Sequence, residues 1–228
     1  MAAVEEEQPQ QLLEIGPGAG AITKYLLQLP AVDFKAIELD EEKVVYLQHT
    51  YPGIKGKLIH QSFLEAQPPF EGAFMVVGNF PYNISSQILF KILEWKTQVP
   101  LVVGMFQKEV AQRVAAKEGS KTYGILSVLV QAFYEVVYLF DVHENCFNPP
   151  PKVKSGVIKL RLRSQVPEMK SEAAFFLLVK TAFNQRRKML RNGVRSLFDE
   201  QTLQQEVFSK RAEQLTVQQF AALTFLMK

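Results

Sequence analysis

Five short apolar runs alternate with stretches of helical spacing between residues 11 and 107, and that rhythm leaves the chain very few folds. The runs are QLLEIG (11–16), FKAIELD (34–40), KLIHQ (57–61), FMVVGNF (74–80) and PLVVGMFQ (100–107). Between them lie AITKYLLQL (21–29), EEKVVYLQHTY (41–51) and SSQILFKILEW (85–95). The second of these opens on acidic residues and the third on a serine expected to cap it. KEVAQRVAAK and YGILSVLVQAF continue as helices. Strand–helix alternation of this kind predicts an α/β fold, a parallel sheet covered on both faces. Two further strands, YEVVYLFDV (134–142) and SGVIKLRLR (155–163), have only the proline-rich NPPPK segment between them. With no helix to carry the chain back, they are expected to form an antiparallel pair at one edge.

After Arg163 the rhythm stops. SQVPEMK reads as a linker, and AAFFLLVKTAF, KMLRNGVRSLF and TVQQFAALTFL read as helices. The expected organisation is a domain over 1–163 and a small all-helical domain over 164–228. Charge follows the same division. The last 65 residues hold ten Lys and Arg against six Asp and Glu, while the remainder holds 16 against 17. The surplus is densest in NQRRKMLRNGVRS, which points to a polyanionic partner. Arg186, Arg187, Lys188, Arg191 and Arg195 have no acidic residue among them. On a helix, positions 187, 188, 191 and 195 share roughly one face and would make a phosphate-binding stripe.

Other classes drop out. The start, MAAVEEEQPQ, has neither a basic nor an apolar signal region, and no apolar stretch reaches the ~18 residues of a membrane span. A single cysteine, Cys146, excludes an internal disulfide framework and fits a reducing, cytoplasmic setting. With three scattered histidines it leaves no metal-ligand cluster. A monomer is expected.

EIGPGAG (14–20) falls between the first strand and the first helix, where α/β sheets bind nucleotides. Gly16, Gly18 and Gly20 allow the backbone to approach a ligand closely. The second strand ends in Glu38-Leu39-Asp40, and a carboxylate about 20 residues past such a loop suits ribose hydroxyls. Glu38 or Asp40 can serve, the other then charging a helix N-terminus. The loop is G-x-G-x-G rather than the dinucleotide G-x-G-x-x-G, and Glu14 precedes it. A carboxylate there repels phosphate but attracts an ammonium group, which leans the reading toward S-adenosylmethionine.

VVGNFPY ends the fourth strand on the same edge of the sheet. The amino group of adenine is a poor nucleophile because its lone pair is delocalised into the ring. The Asn79 side-chain carbonyl, paired with the backbone carbonyl of Pro81 or Phe80, can hold both N–H groups and turn the lone pair outward. Tyr82 can stack on the base plane.

At these residues the chain resembles the S-adenosylmethionine-dependent ribosomal RNA adenine N6,N6-dimethyltransferases. The resemblance covers nearly all of 11–198 and rests on LLEIGPGAG, AIELD, GNFPYNISS, MFQKEVAQRVAAKEGSKTYGILSVLVQ, FNPPPKVKSGVIKL and FNQRRKMLRN. It implies dimethylation of two adjacent adenosines near the 3′ end of small-subunit rRNA during ribosome assembly. It also implies Glu38 as the ribose acceptor, Asn79 and Tyr82 as the catalytic amide and stacking ring, and Phe147 as a second aromatic on the target base. Two departures stand out. Ser62 replaces an aspartate that accepts from the cofactor's adenine amino group, with the Phe63 N–H beside it for a ring nitrogen. The family's basic N-terminal segment, ending in Gly-Gln-(Asn/His)-Phe-Leu, has no counterpart before the first strand, so the chain looks truncated or has lost it. The other readings are a methylase of 23S rRNA or DNA adenine, and a non-catalytic RNA-binding assembly factor or transcription factor on the same fold.

Overall fold

The computed structural model describes residues 1–147 and 153–228; the NPPPK segment between the last two strands lies outside the described residues. Seven strands form one sheet in the order β3-β2-β1-β4-β5-β7-β6. They are β1 (Gln11–Ile15), β2 (Asp33–Glu38), β3 (Leu58–His60), β4 (Met75–Asn79), β5 (Leu101–Gln107), β6 (Tyr134–Val142) and β7 (Ser155–Leu162). The first five run parallel. β7 runs antiparallel to β5, from Leu101 opposite Arg161 to Gln107 opposite Ser155, and β6 lies outside it at the edge. The chain winds outward from β1 to β3, then returns to β4 and winds the other way. The crevice between the ends of β1 and β4 is therefore the switch point where such sheets hold ligands.

The helices are α1 (Ala2–Glu5), α2 (Thr23–Leu26), α3 (Glu41–Thr50), α4 (Ser85–Glu94), α5 (Lys108–Val114), α6 (Ile125–Phe133), α7 (Glu172–Asn184), α8 (Leu190–Gly193) and α9 (Val217–Leu223). The nine-residue helix expected over 21–29 shrinks to α2. Its C-terminal turn tightens into i→i+3 bonds, Gln28 N–H to Tyr25 O and Leu29 N–H to Leu26 O, and Pro30 then bars continuation. Asp40 is the N-cap of α3, its side chain accepting from the Lys43 N–H.

Two compact units are present, Met1–Ala111 with Val137–Leu162, and Gln112–Val136 with Arg163–Lys228. They do not follow a single cut in the chain. The second takes Gln112–Val136 because α6 is apolar nearly all round, with Leu126, Val128, Leu129, Val130, Ala132 and Phe133 all buried, and needs α7 and α9 packed against it. Where the sequence suggested helices over KMLRNGVRSLF and TVQQFAALTFL, much of the segment from Arg195 to Leu226 is short 3₁₀ turns. An isolated antiparallel bridge joins Met189 and Arg211. Phe198 and Phe208 (ring centroids 4.8 Å apart) anchor these turns.

In the first unit one face of the sheet is covered by a core of Val4, Leu12, Leu26, Phe34, Ala36, Leu47, Met75, Val77, Val103 and Val157. On the other face two glycines, Gly78 of β4 and Gly104 of β5, sit directly opposite each other. Together they leave a trough, and the Phe80 ring fills it. A Cβ on Gly78 would stand 2.6 Å from Phe80 Cε1, and one on Gly104 would penetrate the same ring from the other side. Phe106 completes the packing at a centroid distance of 4.8 Å. Filling the trough is expected to act as overpacking: Gly104→Ala should lose about 1–3 kcal/mol of stability. Urea unfolding of this variant checks it, and an unchanged midpoint would contradict it.

Candidate active site

The glycine loop follows β1 with Gly16, Gly18 and Gly20 at φ of 64°, 58° and 79°, the left-handed region that side chains resist. The carboxylate of Glu38, at the end of β2, pulls the loop toward it. One oxygen accepts from the Gly18 N–H (3.0 Å), the other from the Leu39 and Asp40 N–H groups (2.9 and 3.0 Å). Of the two carboxylates the sequence offered here, Glu38 thus faces the loop and Asp40 caps a helix.

Glu14 lies beneath this loop and is 1% exposed. Its Oε2 accepts from the Thr23 hydroxyl at 2.8 Å, while Oε1 is buried without a partner. Burial, above the opposing effect of the Thr23 bond and with a further push from the Glu38 charge, raises its pKa to about 8. A buried acceptor with one oxygen left open is a place for a cation or a donor.

The Asn-Phe-Pro-Tyr stretch divides its side chains by burial. Phe80 is 1% exposed, whereas Asn79 and Pro81 are exposed on either side. The Phe80 N–H donates to the Met105 carbonyl at 3.1 Å, so the backbone too is tied to β5. Pro81 rests near the glycine loop, with its Cδ 3.5 Å from where a Gly16 Cβ would be. Ser85 is not the cap that the sequence suggested; Ile84 holds that position without a side-chain bond. The Ser85 hydroxyl instead donates to the carbonyls of Pro81 (3.1 Å) and Tyr82 (3.2 Å), and the Ile84 N–H also reaches Pro81 O (3.3 Å). The Pro81 carbonyl thus already has donors within the turn, which makes it a poorer second acceptor for a substrate amine than the Phe80 carbonyl. Tyr82 has its hydroxyl 2.5 Å from that of the fully buried Ser155, fixing the ring from β7.

A cavity of about 400 Å³ in this unit is lined by Asn79 and Phe147 together with Ala21, Ile22, Gly104 and Val157. The chain places the amide and the distant aromatic in one hollow beside the glycine loop.

The family model for ribosomal RNA adenine dimethylase matches residues 2–227. This chain belongs to that family. It is 49% identical over 221 residues to a ribosomal RNA small subunit methyltransferase A from Cytophaga hutchinsonii, covering 96% of this chain and 86% of the relative. The corresponding protein of Flavobacterium johnsoniae is 53% identical over 218 residues, covering 94% and 83%. Among solved structures, a dimethyladenosine transferase from Plasmodium falciparum superposes with a TM-score of 0.77 at 25% identity, over 92% of this chain and 86% of that one. The 23S rRNA methyltransferase ErmE shares the fold, with a TM-score of 0.70 at 23% identity over 98% and 96%. The sheet is thus a Rossmann-like methyltransferase sheet in which the antiparallel β7 is inserted between β5 and the edge strand β6.

Within this family member, Ser62 is partly buried after β3, and Phe63 is buried with its ring edge-on to Trp95 at 5.0 Å. The basic residues of the second unit are not one helical stripe. α7 ends at Asn184 and α8 begins only at Leu190, so Arg187 and Lys188 lie in the connecting turn and Arg195 in a 3₁₀ turn. Arg186 is committed internally. Its Nε donates to Glu213 at 2.6 Å and its Nη2 to the carbonyls of Ser120 (3.3 Å) and Lys121 (2.5 Å). Arg187 and Lys188 are exposed, Arg191 is half-buried with its Nη2 3.1 Å from Met189 Sδ, and Arg195 pairs loosely with Glu200 at 3.6 Å. No group of His, Cys, Asp and Glu able to hold a metal, and no helix long and apolar enough to cross a membrane, occurs among the described residues.

The sequence did not announce Thr23 or Ser155, whose partners are distant in the chain. It did carry a signal for the trough: VVGNF and VVGMF repeat one pattern on neighbouring strands.

Glu14 gives a pH signature. Its folded pKa of about 8 lies above the ordinary 4.5, so between those values the folded chain holds a proton that the unfolded chain has released. Stability therefore falls as pH rises from about 4.5 to about 8 and levels off above. Glu14→Gln removes this decline: its melting temperature relative to the parent should rise steadily between pH 5 and pH 8.5. Parallel curves for the two proteins would contradict the assignment.

Proposed function

We propose that this chain transfers methyl groups from S-adenosylmethionine to N6 of two adjacent adenosines near the 3′ end of small-subunit rRNA, giving N6,N6-dimethyladenosine during ribosome assembly. The observation that carries this reading is Asn79, held exposed at the end of β4 by the buried Phe80 and lining one cavity with Phe147 beside the glycine loop. The residues also suit the cofactor. The open Oε1 of Glu14 matches an ammonium donor, whose charge would draw off the proton the buried carboxyl keeps. The left-handed glycines allow close backbone approach, Glu38 offers a carboxylate to ribose hydroxyls, and Ser62 with the Phe63 N–H offers an acceptor and a donor to an adenine edge. S-adenosylmethionine, when bound there, supplies an electrophilic methyl on a sulfonium.

The chain's own residues act on the other partner. Asn79 Oδ1 accepts one N6 hydrogen. With the Pro81 carbonyl already bonded within the turn, the Phe80 carbonyl takes the second. Two acceptors fix the amine and localise its lone pair on nitrogen, ready for attack, with no reorganisation at the moment of reaction. Tyr82, braced by Ser155, and Phe147 supply flat apolar faces for an unstacked base. The second unit supplies phosphate contacts from Arg187, Lys188, Arg191 and Arg195, and Arg186 holds the 120–121 turn against Glu213 rather than touching RNA.

Labelled methyl transfer to undermethylated small ribosomal subunits, followed by digestion to nucleosides, tests the reaction. Wild type should yield dimethyladenosine, and Asn79→Ala should lose roughly 10²–10³ in rate while still binding the subunit. A folded protein that binds the subunit and gives no product would reduce the chain to an RNA-binding factor. RNA affinity measured against salt separates the arginines. Arg187→Gln and Lys188→Gln should each lower the slope of log K against log salt by about one. Arg186→Gln should instead leave the slope alone and cost on the order of 1–3 kcal/mol of stability. A lowered slope for Arg186→Gln would return it to the interface.

A further inference from the structure

Thr23 is fully buried, and it gives its hydroxyl to a residue of the site rather than to its own helix. It opens α2, just past the glycine loop, while Glu14 lies on β1 just before that loop. Its hydroxyl donates to Glu14 Oε2 at 2.8 Å, joining the two flanks of the loop. Among the described residues no other side-chain bond reaches Glu14, and Oε1 is left without a partner.

Nothing else in the surroundings tells the two oxygens apart. The neighbours of Glu14 across the sheet are Ala36 of β2 and Val77 of β4, and both belong to the apolar core with Leu12 and Leu26. The last torsion of a glutamate is broad, so apolar packing alone leaves the carboxyl free to turn. Thr23 fixes it, because a β-branched side chain in a packed site has one settled χ1 and its hydroxyl has one proton to give. No cation among the described residues pairs with Glu14; Lys24, next on α2, is exposed and lies 4.8 Å from the centre of the Tyr25 ring. Burial keeps the carboxyl protonated, the Thr23 bond works against it, and the Glu38 charge adds a smaller push toward protonation. A donor on Oε2 is used fully only when the carboxyl ionises, since bonds to a charged acceptor are the stronger ones. A cation arriving at Oε1 is what ionises it.

We infer that Thr23 is a positioning residue for the cofactor: by holding Oε2 of Glu14 it keeps Oε1 open and oriented for the ammonium of S-adenosylmethionine. The inference rests on the reading of Glu14 as that ammonium's acceptor. Two ligands separate this role from a merely structural one. S-adenosylhomocysteine carries the ammonium, whereas methylthioadenosine keeps the nucleoside and the thioether without it. Thr23→Val, close to isosteric but lacking the hydroxyl, should bind S-adenosylhomocysteine roughly tenfold more weakly at pH 7 by calorimetry, with methylthioadenosine unaffected. KM for S-adenosylmethionine should rise by the same factor at unchanged maximal rate, and Thr23→Ser, which restores the donor, should recover most of both. In the ligand-free protein, NMR titration should show the Glu14 carboxyl of Thr23→Val losing its proton at higher pH than in the parent, because the bond that favours the carboxylate is gone. Thr23→Ala, which also lacks the hydroxyl, should give the same results if Thr23→Val folds poorly. Equal weakening toward both ligands would make Thr23 a structural residue and overturn the inference, as would an unchanged affinity for S-adenosylhomocysteine or an unmoved Glu14 titration. A parent protein that binds the two ligands equally well would instead overturn the reading of Glu14 as the ammonium's acceptor, and this inference with it.

Discussion

The Phe80 ring in the trough between Gly78 and Gly104 is the contact on which the rest of the site depends. Burying a phenylalanine contributes on the order of 2 kcal/mol or more, and here it also decides direction. The backbone leaving β4 must turn so that Phe80 points into the sheet, and the residues on either side, Asn79 and Pro81, are then forced out. One packing event therefore sets the amide into the crevice and lays the proline near Gly16. A polar acceptor is held without spending its own hydrogen-bonding capacity on the fold.

The crevice follows from topology. With β1 and β4 adjacent and the chain winding away from them on both sides, loops after these strands diverge and leave the switch point open. The glycine loop enters it from β1, Glu38 from β2 and Asn79 from β4, each at a strand's C-terminal end. Phe147 arrives from the other direction, after the edge strand β6, which lets one cavity join a side chain from β4 with another some 70 residues later.

Much of this was legible in the sequence. The strand rhythm gave all seven strands, and the absence of a helical pattern around NPPPK identified the edge pair. The glycine loop and the Asn-Phe-Pro-Tyr stretch were visible because their chemistry is local: glycines, an amide and a proline in fixed order. What was not legible depends on distant partners. Ser85 resembled a helix cap until the Pro81 and Tyr82 carbonyls were seen to take its hydroxyl. Arg186 looked equivalent to Arg187, and only the approach of Glu213 and the 120–121 carbonyls sets it apart. The helical stripe failed because five residues of turn, 185–189, interrupt the periodicity on which it was built.

The most direct test of the account is a crystal structure of the protein with S-adenosylhomocysteine and adenosine bound together. The geometry predicts the cofactor's ammonium within hydrogen-bond distance of Glu14 Oε1, its ribose on Glu38, and adenosine N6 between Asn79 Oδ1 and the Phe80 carbonyl with Phe147 against the base. Adenosine bound with N6 away from Asn79, or a cofactor seated outside the β1–β4 crevice, would contradict it.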